Sequence, residues 1–278
     1  MNLVLFFTYK TSINDWIKNG IFSREINLYK ELVKKGSNVT LVSYDYKNYK
    51  DDLEPHGIKH LPIFDSDKSK RNNIQIIFQS IDVRDEAAHV TIAEKAIDST
   101  GRLDAWVNNA GVSAWRPINE IDEAFFDELM GINLKGAFWG CKVAARFMTD
   151  EGGSIINISS IAGKRGSAKN AMYCATKFGM NGLTQSLAKE LGPRGIRVNA
   201  LCPVLVKTKG LMEALAAPHS PADGDPDGFL DKFQAANSAT GSLPRGEDVG
   251  SLAVYLSSPE NRSITGQCIN LDCGVFPQ

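Results

Sequence analysis

The sequence predicts an α/β fold: a doubly wound parallel sheet of the Rossmann-like type, covered by helices on both faces as a three-layer sandwich. Short apolar runs alternate with segments of helical period along most of the 278 residues, as parallel strands joined by crossover helices do. The apolar runs lack the period-2 alternation of half-exposed strands, which indicates burial on both faces. Capping residues and glycines bound several helical segments.

The first elements form a βαβ unit. Apolar residues predict strands over 3–8 and 39–44, and apolar residues at helical spacing predict a helix over 23–35. Ser23 is a candidate N-cap of this helix, and Gly36 is a candidate C-terminal stop. A polar loop joins the first strand to the helix, where nucleotide-binding folds place their phosphate-binding turn.

The later elements continue the alternation. Further strands are predicted at 74–78, 103–107, 154–159, 196–203 and 268–272. Further helices are predicted at 85–101, 122–132, 135–149, 170–191 and 247–256. Two stretches interrupt the pattern, a charged one at 45–73 and a Pro/Gly/Asp-rich one at 217–228. Loops of that length in a compact domain tend to be functional or mobile.

Composition excludes several classes of protein. The chain is 43% hydrophobic with a formal net charge of −1, which suits one large domain or two small ones. The balanced charge gives no reason to expect nucleic acid or an anionic membrane as a partner. The N-terminal apolar run at 3–7 is far shorter than the ~18–20 residues of a membrane span, and it lacks the flanks of a signal peptide.

Cysteine and histidine usage points to a cytoplasmic protein without a metal site. The five cysteines are Cys141, Cys174, Cys202, Cys268 and Cys273. Their odd number and lack of metal-ligand spacing indicate reduced thiols. The four histidines are scattered, so we expect no metal to be bound through them.

Tyr173 and Lys177 are the first candidates for chemistry. Four residues apart on a predicted helix, they lie on one face, a single turn from each other. A nearby ammonium favours the phenolate, so we expect Lys177 to lower the pKa of Tyr173 from its ordinary ~10. Such a tyrosine exchanges a proton with a carbonyl or alcohol oxygen near neutral pH. Taken alone, the pair is better explained as an exposed helix face, because Y-x-x-x-K occurs by chance in many helices.

Three polar features favour the catalytic interpretation of this pair. Ser160 follows a predicted strand at its carboxyl end, the edge where open α/β sheets bind ligands. Asn133 lies within a predicted helix, a position that asparagine disfavours unless it kinks the helix or has a role. The stretch at 106–111 ends a strand in two asparagines and a glycine, which lets backbone approach a ligand closely.

Taken together, these motifs resemble the short-chain dehydrogenase/reductase family. The matching motifs, in the family's order and spacing, are Asp82-Val83, Asn108-Asn109-Ala110-Gly111, Asn133, Ser160, Tyr173-x-x-x-Lys177, 197–203 and 264–272. The resemblance runs from about residue 81 to the C-terminus and implies hydride transfer between NAD(P) and an alcohol or carbonyl compound of small size. Two positions depart mildly from it, because Val204 and Cys273 stand where the family has glycine.

The resemblance implies a role for each matching residue. Tyr173 is the expected general acid/base, and Lys177 lowers its pKa and binds the nicotinamide ribose. Ser160 orients the substrate, and Asn133 holds a water in a proton relay towards Lys177. The other residues implied to bind the cofactor are Asp82, Val83, Asn108, Ala110, Gly111, Pro203, Val206 and Thr208. The segment 209–240 is the expected substrate lid.

The first 80 residues do not carry the family's T-G-x-x-x-G-x-G loop. Their only glycines are the isolated Gly20, Gly36 and Gly57. The stretch 22–45 instead resembles the start of glycosyltransferases built from two Rossmann-like domains. Two hypotheses follow for a single Rossmann-like domain over 1–278: a hybrid of a glycosyltransferase-like unit (1–80) with a dehydrogenase-like catalytic part (81–278), or a diverged family member.

This departure leaves alternatives for function and cofactor. A catalytically impaired or non-catalytic protein would bind a nucleotide-sugar or a partner through residues 1–80. A glycosyltransferase is disfavoured, because no second Rossmann-like domain follows. Asp45, near the end of the second strand, favours NAD, because its carboxylate would accept from a ribose 2′-hydroxyl and repel a 2′-phosphate. A solvated loop aspartate explains Asp45 equally well, so NADP stays open.

The resemblance also implies self-association. Helices at 122–149 and 171–192 pair between subunits in this family, which predicts a homodimer or homotetramer. The small residues Gly136 and Gly140 would allow close helix contact. The lid does not identify the substrate, because packing in the core explains its apolar residues equally well.

Overall fold

The computed structural model describes residues 2–6, 38–43, 76–149 and 151–277. Seven parallel strands form one sheet in the order β3-β2-β1-β4-β5-β6-β7. The strands are β1 (Asn2–Phe6), β2 (Asn38–Ser43), β3 (Ile76–Ser80), β4 (Ala105–Asn108), β5 (Gly153–Ile158), β6 (Ile196–Pro203) and β7 (Cys268–Leu271). This order is that of the doubly wound dinucleotide-binding fold, which confirms the predicted class.

The N-terminal strands belong to the same sheet as the rest. Leu3 of β1 pairs with Val39 of β2 on one side and with Ala105 of β4 on the other. The predicted helix over 23–35, the loop containing Gly20 and the stretch 45–73 with Asp45 lie outside the described residues.

The described helices connect the strands. They are α1 (Glu86–Thr100), α2 (Glu123–Leu129), α3 (Gly136–Phe147), α4 (Ala171–Leu191), α5 (Lys209–Ala216), α6 (Pro226–Asn237) and α7 (Gly246–Ser257). A π-helix (Met130–Lys135) joins α2 to α3, and 3-10 turns occupy Ile118–Glu120, Ile161–Gly163, Gly192–Arg194 and Pro259–Asn261. None of these helices is long and apolar enough to cross a membrane.

Local sequence explains where these helices begin and end. The side chain of Asp85 caps α1 by accepting from the Ala87 amide at 3.0 Å, and Gly101 ends the helix with φ 80°. Asp122 caps α2 by accepting from the Phe125 amide at 2.8 Å. Aspartate at the N-cap and glycine in the left-handed region are the residues these positions favour.

Alternating side chains of β5 show the three layers. Ser154 donates to the Leu256 carbonyl of α7 at 3.0 Å, whereas Asn157 donates to Thr184 of α4 at 2.9 Å. Successive strand residues point to opposite faces, and these two positions differ in parity. Helices α4 and α7 therefore cover opposite faces of the sheet. All four residues of β4 are buried, as expected for a strand covered on both sides.

The larger core cluster lies between the sheet, α1, α3 and α4. Trp106 and Ile155 of the sheet and Ile92 of α1 are fully buried in it. The close approach of α3 to the loop after β3 depends on glycine, because a Cβ on Gly136 would lie 3.0 Å from Val83 Cγ2. The tight packing expected of Gly136 and Gly140 thus occurs within the subunit.

The C-terminal turn shows what one departure from the family pattern does. Cys273, which stands where the family has glycine, adopts φ 54° in the left-handed region. The turn is held by Asp272, whose carboxylate accepts from the amides of Gly274 at 3.1 Å and Phe276 at 2.8 Å. Side-chain hydrogen bonds therefore hold a backbone conformation that glycine adopts at lower cost.

We expect Gly140→Ala to destabilise the protein. An added Cβ would lie 2.8 Å from the Trp106 indole nitrogen and would clash with the Asn108 amide oxygen. Overpacking of this kind costs about 1–3 kcal/mol in free energy of unfolding. Gly182→Ala on α4 is the matched control, because its Cβ meets nothing within 4 Å. Urea unfolding of both variants checks this, and equal stability of the two would contradict it.

Candidate active site

The candidate site lies where β4, β5 and β6 end. A cavity of about 850 Å³ opens at this edge of the sheet. Its lining includes Asn109 after β4, Ser160 after β5 and Pro203 at the end of β6, together with Tyr173 and Lys177 of α4. The carboxyl edge of a doubly wound sheet is where such folds bind their ligands.

Ser160 is held just beyond the carboxyl end of β5 by hydrogen bonds to the backbone. Its hydroxyl oxygen accepts from the Ala162 amide at 3.1 Å, which caps the following 3-10 turn. The hydroxyl also lies 3.5 Å from the Pro203 carbonyl, to which it donates. The Ser160 hydroxyl also acts on the Tyr173 phenol, since it lowers the pKa of that group. The predicted serine and tyrosine therefore share one site.

Lys177 lies one turn of α4 beyond Tyr173. Its ammonium is 5.6 Å from the centroid of the Tyr173 ring and donates to the Ile158 carbonyl at 2.8 Å. The side chain is only 4% exposed. An ammonium has three N–H donors, and among the described residues only the Ile158 carbonyl accepts from this one.

Burial sets the charge states of this pair. Burial raises the pKa of Tyr173 to about 12, and the Ser160 hydroxyl counters only part of that rise. Burial also lowers the pKa of Lys177 from its ordinary 10.5 to about 8. The net shift of the Tyr173 pKa is therefore upward, opposite in direction to the lowering expected from Lys177, because loss of hydration is its largest cause.

Asn133 sits in the π-helix between α2 and α3, and π-helical turns often mark functional positions. Its carboxamide oxygen accepts from the Val112 amide at 2.8 Å, and its nitrogen donates to the Val112 carbonyl at 2.9 Å. The irregularity predicted at this asparagine is thus a change of helix type. The side chain clamps the loop after β4, whose residues Gly111 and Val112 line the cavity.

Residues of the Asn108-Asn109-Ala110-Gly111 motif have two kinds of contact: some support the sheet and its core, and others line the cavity. The Asn108 amide donates to Asn157 of β5 at 2.8 Å, and its oxygen accepts from Trp106 at 2.9 Å, so it supports the sheet. Ala110 packs against the core cluster. Gly111 and Asn109 line the cavity. The sequence analysis assigned no role to Asn109, although its place at the strand end was the available signal.

Asp82 and Val83 are held by contacts of their own. Asp82 forms a salt bridge with Arg84 at 2.6 Å. Val83 is buried, and its carbonyl contacts the His89 imidazole at 2.8 Å. Neither residue is among the described residues that line the cavity. Asp45, the residue expected to select the nucleotide, lies outside the described residues.

The segment after β6 covers the cavity. Pro203, Val206 and Thr208 line it as predicted, and the Thr208 hydroxyl caps α5 by accepting from the Leu211 amide at 3.2 Å. The predicted lid, 209–240, contains α5 and α6. Its apolar residues Leu211, Phe229 and Phe233 line the cavity together with Trp115 from the loop after β4. Trp115 was missed because its stretch carries no recognised motif.

Metal chemistry finds no support at this site. In the part of the chain that the structure describes, no group of three histidine, cysteine, aspartate or glutamate side chains is placed to hold a metal ion.

Comparison with known proteins agrees with this geometry. Residues 67–276 match the family model described as enoyl-(acyl carrier protein) reductase. The L-2,3-butanediol dehydrogenase of Corynebacterium glutamicum is 35% identical over 202 residues, which are 72% of this chain and 78% of the relative. A short-chain dehydrogenase/reductase of Armillaria gallica is 36% identical over 196 residues, 70% of this chain and 73% of the relative. The chain belongs to the short-chain dehydrogenase/reductase family.

A solved structure extends the likeness over the whole chain. The structure of ElxO with NADP bound shares 27% identity and a TM-score of 0.74, covering 99% of this chain and 98% of that one. As a short-chain dehydrogenase/reductase, this protein is an NAD(P)-dependent oxidoreductase that acts on alcohol and carbonyl groups. The non-catalytic alternative is not favoured. The lining is compatible with such a cofactor, since the Lys177 ammonium makes one hydrogen bond, to Ile158, among those of the described residues.

We expect Lys177→Met to stabilise the fold at pH 7 by about 1–3 kcal/mol, since one pKa unit corresponds to about 1.4 kcal/mol. The folded-state pKa of Lys177, about 8, lies below the ordinary 10.5. The cost of burying the ammonium is therefore complete below pH 8. It diminishes as pH rises from about 8 towards 10.5, where the folded state loses its proton first.

Urea unfolding of wild type and Lys177→Met at pH 7 and pH 9.5 checks this prediction. The advantage of the variant should shrink at the higher pH. A variant less stable than wild type at pH 7 would show that the hydrogen bond to Ile158 outweighs the cost of burying the charge.

Proposed function

We propose that Tyr173 is the general acid/base of this oxidoreductase, with Ser160 orienting the substrate oxygen. The observation that supports it is that Ser160 and Tyr173 line the same cavity at the edge of the sheet, with Lys177 one helical turn away from Tyr173. A carbonyl oxygen placed between the two hydroxyls would accept a hydrogen bond from each. That position suits proton transfer, which requires heavy atoms about 2.6–3.2 Å apart.

The protonation state of Tyr173 suits the reductive direction. With a pKa of about 12, its phenol keeps its proton at neutral pH and can donate it to the developing alkoxide. The bound dinucleotide supplies the hydride in reduction and accepts it in oxidation. In oxidation the phenol must first lose its proton, and a positive charge nearby favours that loss.

Lys177 and Asn133 have positioning roles in this proposal. Lys177 is anchored to the Ile158 carbonyl and directs its remaining N–H groups to the ribose hydroxyls. The resemblance assigns Asn133 a water relay towards Lys177. Because its side-chain amide is bonded on both sides to Val112, we assign that side chain to holding the cavity loop in place.

The cofactor assignment extends to the described lining. Asn109, Gly111, Pro203, Val206 and Thr208 are the residues we assign to the dinucleotide. NAD is the form we propose, on the carboxylate of Asp45 in the sequence, and NADP is the alternative outcome of the titration below. The missing glycine-rich loop predicts weak pyrophosphate binding, because several backbone hydrogen bonds are lost.

We also propose that residues 1–278 form one Rossmann-like domain whose N-terminal part, 1–80, was spliced on from another family. The compartment we propose is the cytoplasm. The family-model match begins only at residue 67, which supports a separate ancestry for the first stretch. The reduced cysteines support the compartment. Replacing 1–80 with a glycine-rich βαβ unit of the family tests the splice, since it should tighten nucleotide binding at least tenfold; unchanged affinity would contradict it.

We expect Tyr173→Phe to lower kcat for 2,3-butanediol oxidation by about 10²–10⁴-fold, the usual contribution of a positioned acid/base. Nicotinamide fluorescence should show the variant binding NADH and NADPH as wild type does, with NADH bound more tightly. Tyr255→Phe is the control, because Tyr255 is 54% exposed on α7. Failure of wild type to bind either nucleotide at millimolar concentration would overturn the proposal.

Self-association is proposed through the helices at 122–149 and 171–192. Phe126, Phe138 and Phe178 of α2, α3 and α4 are each more than 40% exposed, which is an unusual density of exposed aromatic rings. Burying them between two subunits would remove this apolar surface from water.

We expect Phe138→Glu to reduce the molar mass in light scattering from dimer or tetramer towards that of one subunit. A carboxylate buried at the contact would have no partner there. Ile118→Glu is the control, since Ile118 is 75% exposed outside these helices. A wild-type mass of one subunit would refute the proposed assembly.

A further inference from the structure

The lid contributes apolar side chains to the cavity that the proposed chemistry does not use. Leu211 of α5 and Phe229 and Phe233 of α6 line the cavity, together with Trp115 from the loop after β4. The Phe229 and Phe233 rings lie one helical turn apart, with their centroids 6.0 Å from each other. Together these four residues form what we call the apolar wall.

The burial of the apolar wall differs from that of the lid's own core. Leu215 and Leu230, which form the lid core together with Ala222, are 0% and 4% exposed. Each residue of the apolar wall is only half-buried. Packing of the lid therefore accounts for Leu215 and Leu230, but it leaves part of the wall's surface uncovered beside the cavity. A ligand that covers such surface removes it from water, which favours binding.

The charged residue that the lid adds to the lining does not oppose an apolar ligand. Glu213 of α5 lines the cavity, but its side chain is 65% exposed and its carboxylate lies 3.8 Å from the Lys209 ammonium. The other charged lining residues, Glu128, Arg165 and Lys177, lie outside the lid. Because the Glu213 carboxylate stays hydrated, a substrate placed against the wall need not bury that charge.

Several contacts hold the lid in place around the cavity. Trp115 packs against the lid core. The His219 imidazole of the lid lies 3.1 Å from the Glu120 carboxylate, in the 3-10 turn that follows Trp115. Where the lid ends, the Ala239 amide donates to the Cys273 carbonyl at 3.0 Å. The wall is therefore shaped before a substrate binds, which lowers the cost of binding a group that fits it.

The apolar wall and the reacting groups belong to one site. Ser160, Tyr173 and the wall all line the same cavity of about 850 Å³, a volume typical of sites for drug-sized ligands. The Arg116 amide, next to Trp115, donates to the Lys169 carbonyl at 2.6 Å, in the turn that leads into the Tyr173 helix. A substrate whose oxygen lies at the two hydroxyls therefore has the wall available to its substituent.

We propose that the apolar wall determines substrate specificity, and that the substrates carry a bulky aromatic or alicyclic group near the reacting carbonyl or alcohol. Trp115 and the lid phenylalanines contact this group, while the reacting oxygen lies at Ser160 and Tyr173. This proposal rests on the proposed function, which places the reacting oxygen in the same cavity. Side chains that pack only on one another are the competing explanation.

The test compares 4-phenyl-2-butanone with 2-butanone, which has the same reacting carbonyl but lacks the ring. We expect wild type with NADH or NADPH to prefer the phenyl ketone by about tenfold or more in kcat/KM, because a single methylene in a hydrophobic pocket is worth about 10–200-fold. Equal kcat/KM for the two ketones would overturn the proposal.

Variants of the wall locate the preference. Trp115→Ala and Phe233→Ala should each lower it by about fivefold or more, mainly through a higher KM for the phenyl ketone, as loss of ground-state binding does. Trp115→Phe keeps an aromatic ring and should retain the preference within about twofold. Ile118→Ala is the control, because Ile118 is 75% exposed in the turn after Trp115. An unchanged preference in both alanine variants of the wall would refute its role.

A binding measurement separates this proposal from the proposed function. Saturation-transfer NMR of both ketones with Tyr173→Phe and NADH or NADPH reports binding without turnover. If wild type turns over neither ketone but binds the phenyl ketone more tightly through Trp115, the assigned chemistry is refuted and the role of the wall stands. Turnover of both ketones, with no preference that depends on Trp115 or Phe233 in binding or kinetics, would do the reverse.

Discussion

The hydrogen bond between Asn108 and Asn157 is the contact on which the site is built. It joins β4 to β5 at 2.8 Å, and Asn157 continues to Thr184 of α4 at 2.9 Å. Burying these amides is tolerable only because each finds a partner. The two strands that lead to Asn109 and Ser160 are thereby held together with the helix that carries Tyr173. A hydrophobic core alone would leave the distances among them less well defined.

Burial controls the chemistry as much as it controls the fold. The environment that shields a reacting carbonyl from water also removes hydration from Lys177 and Tyr173. It raises the pKa of Tyr173 and lowers that of Lys177, which favours the neutral form of each. A protonated phenol suits proton donation, whereas an ammonium with a lowered pKa is a cost to stability. Proteins keep a destabilising residue of this kind when it serves the function of the site.

The amphipathic and apolar patterns predicted most of the fold. The capped ends of α1 and α2, the buried strands and the parallel order follow from local residue choice, because caps and periodicity act over a few positions. The π-helix at Asn133 was visible only as a poorly placed asparagine. This asparagine bonds Val112, 21 residues away, and no local pattern contains that contact.

Residue types and spacing therefore identified the family, the sheet edge and the trio Ser160, Tyr173 and Lys177, because these are properties of motifs and periods. The direction of the Tyr173 pKa shift, the supporting role of Asn108 and the half-buried position of Trp115 in the cavity wall became apparent only in three dimensions. Each of these depends on how many atoms surround a side chain and which of them are polar. Packing of distant segments sets that environment, and the one-dimensional pattern does not contain it.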